Sequence, residues 1–188
     1  MKKNRSNKSG FSFIEAIFAS AILAFVLVAF VVVYINFFKF YNRQQAEMKI
    51  GDSARNIAKE VQSAALQSNQ ISSSHNFSGP VYSTDQDTLV LEMPSIDGSG
   101  NIISGKYDYV VFYKTGENFY KLTEADAASS RPSGFKQLSE SVATLIFTYN
   151  NSDLAQANKI DTDIQMQSLS GGQNISYHLY QEIYLRNK

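Results

Sequence analysis

Hydrophobic and polar residues follow three rhythms along this chain. Residues 1–10 are polar and basic. From Ala16 to Phe38 the sequence AIFASAILAFVLVAFVVVYINFF carries no charge, and Glu15 and Lys39 bound it. These roughly 23 residues rise about 35 Å as a helix, enough to cross a hydrocarbon core of about 30 Å. Ser20 and Asn36 are the only strongly polar residues within. With no polar stripe to turn toward water, the pattern predicts a membrane-spanning helix over residues 11–40. Past Arg43 the rhythm becomes amphipathic. Ile50, Ala54, Ile57, Val61 and Ala65 recur at spacings of three and four, with Lys49, Arg55, Lys59 and Glu60 off the stripe. One helix over residues 11–68 thus has two characters. Gly51, which costs about 1 kcal/mol relative to alanine in a helix interior, is where it can bend.

Beyond Ser68–Ser74 the period shortens to two. Residues 75–87, with Pro80, read as a polar connector. Residues 88–93 alternate as a strand that stops at Pro94, and Asp97-Gly98-Ser99-Gly100-Asn101 is a turn. Residues 106–113 give the strongest strand signal, and a tight turn at residues 115–118 joins them to residues 119–122 as a hairpin. Residues 123–141 read as a loop with a short helical turn at 124–128. Residues 142–149 form a strand and 150–159 a loop. Residues 164–169 and 176–185 form a second hairpin across Ser170-Gly171-Gly172-Gln173-Asn174. The expected fold class is α+β: a long helix lying across an antiparallel sheet in an exported body of residues 41–188.

Charge and composition narrow the classes of function. Seventeen basic and seventeen acidic residues balance, and Lys2, Lys3, Arg5 and Lys8 fall before the span. The body is therefore mildly acidic, without the basic field that nucleic acid binding requires. The sequence has no cysteine, which excludes disulfides, thiolate metal sites and cysteine nucleophiles. The excess of basic residues before the span keeps the N-terminus in the cytoplasm and puts the body outside, with only Lys39 and Arg43 following closely. No small-x-small cleavage site follows at residues 34–42, so the apolar segment is expected to remain as an anchor. Glu15 then stands out. A carboxylate at the start of a membrane helix is either an interfacial residue of the first turn, favoured by the helix dipole, or a group with a partner.

Gly10-Phe11-Ser12-Phe13-Ile14-Glu15, behind a short basic leader and ahead of a long apolar helix, resembles the processing site of type IV pilins and pseudopilins. The resemblance implies cleavage after Gly10 by a membrane prepilin peptidase, removing residues 1–10, and N-methylation of Phe11 by its methyltransferase activity. It also implies that Glu15 pairs with the N-terminal amine of a neighbouring pilin subunit as helices bundle into a filament. The carboxylate would then select one axial register. Ser12 stands where many members have threonine. The span from Ala16 to Phe38 lacks the proline or glycine that many major pilins carry, which weakens any expectation of helix melting on assembly. The body resembles, more loosely, the larger minor pseudopilins: the J-type of type II secretion and the W-type of type IV pili. The carriers are Thr88-Leu89-Val90-Leu91 before a proline, the tyrosine-rich residues 107–113, residues 142–149, and Tyr184-Leu185-Arg186-Asn187.

Candidate chemistry in the body is sparse. His75 and His178 lie far apart in sequence, and no G-x-S-x-G elbow occurs. Asp97, Ser99 and Asn101 alternate in a glycine-rich turn and are a weak calcium candidate, because no bidentate glutamate follows at EF-hand spacing. Tyr107, Tyr109, Phe112, Tyr113, Phe119 and Tyr120 could form a ligand platform, but their alternation is that of sheet packing. The expectation is a non-catalytic filament subunit in the cytoplasmic membrane, without cofactor. The alternative is a single-pass anchored binding or enzymatic domain that keeps residues 1–10.

Overall fold

A computed structural model describes residues 12–185. In chain order the elements are α1 (Phe13–Gln67), β1 (Gln70–Ile71), β2 (Ser74–Asn76), β3 (Val81–Ser83), β4 (Thr88–Ile96), β5 (Ile102–Thr115), β6 (Asn118–Glu124), β7 (Gly134–Ser139), β8 (Val142–Tyr149), β9 (Lys159–Ser170) and β10 (Gln173–Tyr184). The described residues divide into two units between Arg43 and Gln44. The first is the leading part of α1 alone.

In the second unit, residues 44–67 of α1 pack on antiparallel sheets, an α+β arrangement. The sequence predicts one sheet, whereas two principal sheets form. One has five strands in the order β1-β4-β5-β6-β7, and the other has three in the order β10-β9-β8. They meet through main-chain bonds at β8, whose Phe147 N–H donates to Gln86 at 2.7 Å and Val142 N–H to Glu117 at 2.9 Å. The stripe on α1 is buried as its spacing requires: Ile50, Ala54, Ile57, Val61 and Ala65 are at most 2% exposed. Leu89, Leu91, Val110 and Phe112 face them from the larger sheet, and Leu145, Phe147, Ile160 and Ile164 from the smaller. Gly51 sits beside the Tyr177 ring, where an added Cβ would lie 3.4 Å away, and α1 runs on through it as helix. Past Gln67 the hydroxyl of Ser68 turns back to the Ala65 carbonyl at 2.8 Å, and Asn69 N–H begins pairing with Glu92.

The turns have the chemistry their residues dictate. Thr115 pairs with Asn118 across Gly116 (φ 62°) and Glu117, and Ser170 with Gln173 across Gly171 (φ 59°) and Gly172 (φ 78°). A two-residue hairpin needs such left-handed positions, which glycine adopts without penalty.

Three expected loops or stops are strands. The connector at 75–87 contains the β2–β3 hairpin. It covers the face of the larger sheet opposite α1, where Phe77, Val90 and Val111 form a second small core flanked by Tyr82, Tyr109, Tyr113 and Leu122. The loop at 123–141 contains β7, the outer strand beyond β6. Finally, β4 does not stop at Pro94 but runs to Ile96, with a register shift between these residues. Proline is tolerated there because β1 pairs only with Leu91 and Glu92, so β4 is an edge strand beyond them.

Candidate functional site

The N-terminal unit places no side chain in a core. Over its most apolar window no part is buried among the described residues, and α1 is here long and apolar enough to cross a membrane. Phe13 is 81% exposed and Phe25 79%. Every aliphatic and aromatic side chain of this stretch therefore faces outward, an arrangement that water penalises by roughly 25 cal/mol per Å2 of apolar surface. The hydroxyl of Ser20 is satisfied within the helix, donating to the Ile17 carbonyl at 2.8 Å. Ser20 thus leaves no hydroxyl donor open on this exposed apolar surface.

Glu15 lies in the first turn of α1. Its Oε2 accepts the main-chain N–H of Ser12 at 2.8 Å, while the Ser12 carbonyl accepts Ala16 N–H at 3.2 Å. Ser12 and Glu15 thus have the spacing of a capping box, in which an acidic side chain satisfies a donor the helix leaves open. Gly10 and Phe11 lie outside the described residues.

The turn proposed for calcium comes together, but around its own main chain. Asp97 Oδ1 accepts the N–H groups of Ser99 at 2.8 Å and Asn101 at 2.9 Å, and Oδ2 accepts Asn101 Nδ2 at 3.2 Å. These bonds, the Asn101 N–H first among them, hold the Asp97 carboxyl below its ordinary pKa. Both oxygens are occupied in closing the β4–β5 turn. Among the described residues, no three His, Asp or Glu side chains converge to hold a metal ion.

The histidines stand apart. His178 is exposed on β10 and meets Asp163 at 2.6 Å. His75 stacks on Tyr109 with ring centroids 3.6 Å apart and meets Glu124 at 2.9 Å. Ser78 also bonds Glu124 rather than the imidazole, so these three do not form the relay a serine nucleophile needs. The aromatic residues split by strand parity. Phe112 and Phe119 are fully buried beneath α1. Tyr113 bridges Tyr82 and Tyr120 on the opposite face, and Tyr107 is 42% exposed. Burial, with the neighbouring Glu92 carboxylate, pushes the Tyr109 hydroxyl up to about 12.

One polar cluster went unrecognised in the sequence. Asp108 of β5 is fully buried. It accepts Ser95 Oγ at 2.7 Å, Asp126 N–H at 2.9 Å, Ser129 Oγ at 2.8 Å and Arg131 Nη1 at 2.5 Å. Arg131 also reaches the Pro94 carbonyl at 2.8 Å. The signal was present in the strand parity, which puts Asp108 on the same face as Val110 and Phe112. The cluster pins residues 125–131 to the sheet.

No known protein family, characterised protein or solved structure matches this chain.

Proposed function

We propose that this protein is a pilin-like filament subunit: a minor pilin or pseudopilin of a type IV pilus or a type II secretion machine. Residues 1–10 are its leader, removed after Gly10, and Phe11 is the methylated N-terminus of the mature chain. Residues 11–40 anchor it in the cytoplasmic membrane with the N-terminus inside, and later pack with other subunits as the filament core. Its body, residues 41–188, lies outside the cytoplasm and is not catalytic. The partners are other subunits, the prepilin peptidase and the lipid bilayer.

The observation carrying this reading is an exposed apolar helix whose one carboxylate stands at its mouth, five positions beyond Gly10. An unpaired carboxylate costs about 2.5 kcal/mol or more at the bilayer centre and less near the interface, so in a bundle of such helices a neighbour's amine fixes one register. The Ser12 bond orients Glu15 through Oε2, and Oε1 takes the incoming amine. Glu15→Ala and Glu15→Leu are expected to insert normally while incorporation into sheared filaments falls about tenfold, the equivalent of roughly 1.4 kcal/mol. Normal incorporation of both variants would rule out the pairing.

A further inference from the structure

The smaller sheet leaves a long edge open. Ser170 and Gln173 close a two-residue hairpin, so they exchange both main-chain bonds, and the bonded pairs recur at every second residue. Gln173, Ile175, Tyr177, Leu179, Gln181 and Ile183 therefore bond β9. Asn174, Ser176, His178, Tyr180, Glu182 and Tyr184 point their N–H and C=O groups away from it. The same parity holds one strand over, where it sends the Phe147 N–H outward from β9 to Gln86. Among the described residues, no main-chain group meets the six outward N–H groups of β10.

Apart from the charge of Glu182, this edge lacks the usual protections. Its pairing with β9 is unbroken over twelve residue pairs, with no bulge, and β10 contains no proline or lysine. The far edge of the same sheet is closed by Gln86 and Glu117, and β7, the outer strand of the larger sheet, is only six residues long. The hydrophobic core is also unfinished here, because Tyr177 and Leu179 pack against it only partly buried. On the outer face Asp161, Asp163 and Glu182 outnumber Lys159, which already bonds Glu182 and Asp161 at 3.0 Å. His178 meets Asp163.

We propose that β10 accepts an extended segment of another polypeptide as an added strand, with apolar side chains facing Tyr177 and Leu179 and basic ones facing Glu182 and Asp163. Main-chain bonds supply the affinity and the alternation supplies the specificity. A second copy of this chain is disfavoured. Antiparallel self-pairing needs a twofold axis normal to the sheet, which sets the acidic outer face of one copy, with Asp161, Asp163 and Glu182, beside the same face of the other. Parallel self-pairing sets the polar face of one sheet beside the helix-packed face of the other.

The test uses the full-length protein in phosphatidylcholine nanodiscs, followed residue by residue by amide hydrogen exchange. The probes are a short synthetic peptide alternating valine and lysine, the same peptide N-methylated at alternate amides, and a valine–glutamate counterpart. In the free protein the six outward amides are expected to exchange fast and their odd-numbered neighbours slowly. The valine–lysine peptide slows the outward set by about tenfold or more. The other two peptides do not, and Glu182→Lys weakens the effect. Outward amides already protected in dilute free protein would overturn the proposal. So would protection that grows with protein concentration alone (a second copy in place), equal protection by the acidic peptide, or no protection by any peptide. The intact mass of the chain extracted from the membrane of its native host reports separately on residues 1–10, so failure of strand addition and failure of the filament reading are told apart.

Discussion

Asp108 shows what a single side chain decides in this body. Burial works to raise its pKa, but bonds from Ser95, the Asp126 N–H, Ser129 and Arg131 outweigh it and hold the carboxyl below its ordinary value. A group whose pKa is depressed on folding contributes stability that is complete above the unfolded value, about 3.9, and is lost as pH falls through the lower folded value. Acid titration of the protein should therefore erode stability below about pH 4, and Asp108→Asn should flatten that part of the curve, read from urea midpoints across pH. Removing one partner of a buried ion pair typically costs about 3–5 kcal/mol, so Asp108→Ala should sharply lower the urea midpoint. Exposed Asp52–Arg55, by contrast, is a surface pair, and Asp52→Ala should change the unfolding free energy by less than about 1 kcal/mol.

At the scale of elements, α1 and the hairpins carry the clearest expectations. Ile57 is fully enclosed, and Ile57→Ala should cost about 2–5 kcal/mol by transfer and cavity formation. Gly51→Ala should do the reverse. The added methyl meets the Tyr177 ring at an ordinary contact distance, and the helix gains about 0.5–1 kcal/mol, seen as a rise in thermal midpoint of a few degrees. These same elements were legible from sequence. The three-four spacing of Ile50 to Ala65 marked the buried face of the helix, and the glycines at 116 and 171–172 marked both hairpins. The misses have a shared cause. The strands β2, β3 and β7 are three to six residues long, too short to establish a period, and serine, glycine and proline surround them. Pro94 looks like a stop because a local rule cannot see that β4 has lost its neighbour on one side. Leu89-Val90-Leu91 did hold a hint of the second core, since three consecutive buried residues mean a sheet covered on both faces. The two sheets meet through the long-range contacts of Gln86 and Glu117 with β8, which leave no trace in local pattern.

At the scale of the molecule, a well-packed body is joined to a helical segment whose apolar side chains are exposed among the described residues. Lipid can cover that segment, and so can copies of itself; in the proposed bundle Glu15 meets a neighbour's amine, and the incorporation of Glu15→Leu into filaments separates the two. At its N-terminal motif the proposed site rests on the sequence alone, where Gly10, Phe11 and Glu15 stand in order before an uncharged run, and of the three the structure describes Glu15, in the first turn of α1. The candidate site was illegible in the body, where the turn of Asp97, Ser99 and Asn101 resembles a ligand loop in spacing but spends its oxygens on its own N–H groups. Gly10→Val should leave the span inserted while preventing removal of residues 1–10. The most direct test of the whole account is the intact mass of the wild-type chain extracted from the membrane of its native host. The account predicts the mass of residues 11–188 plus one methyl group, and a chain that still begins at Met1 and carries no methyl group would contradict it.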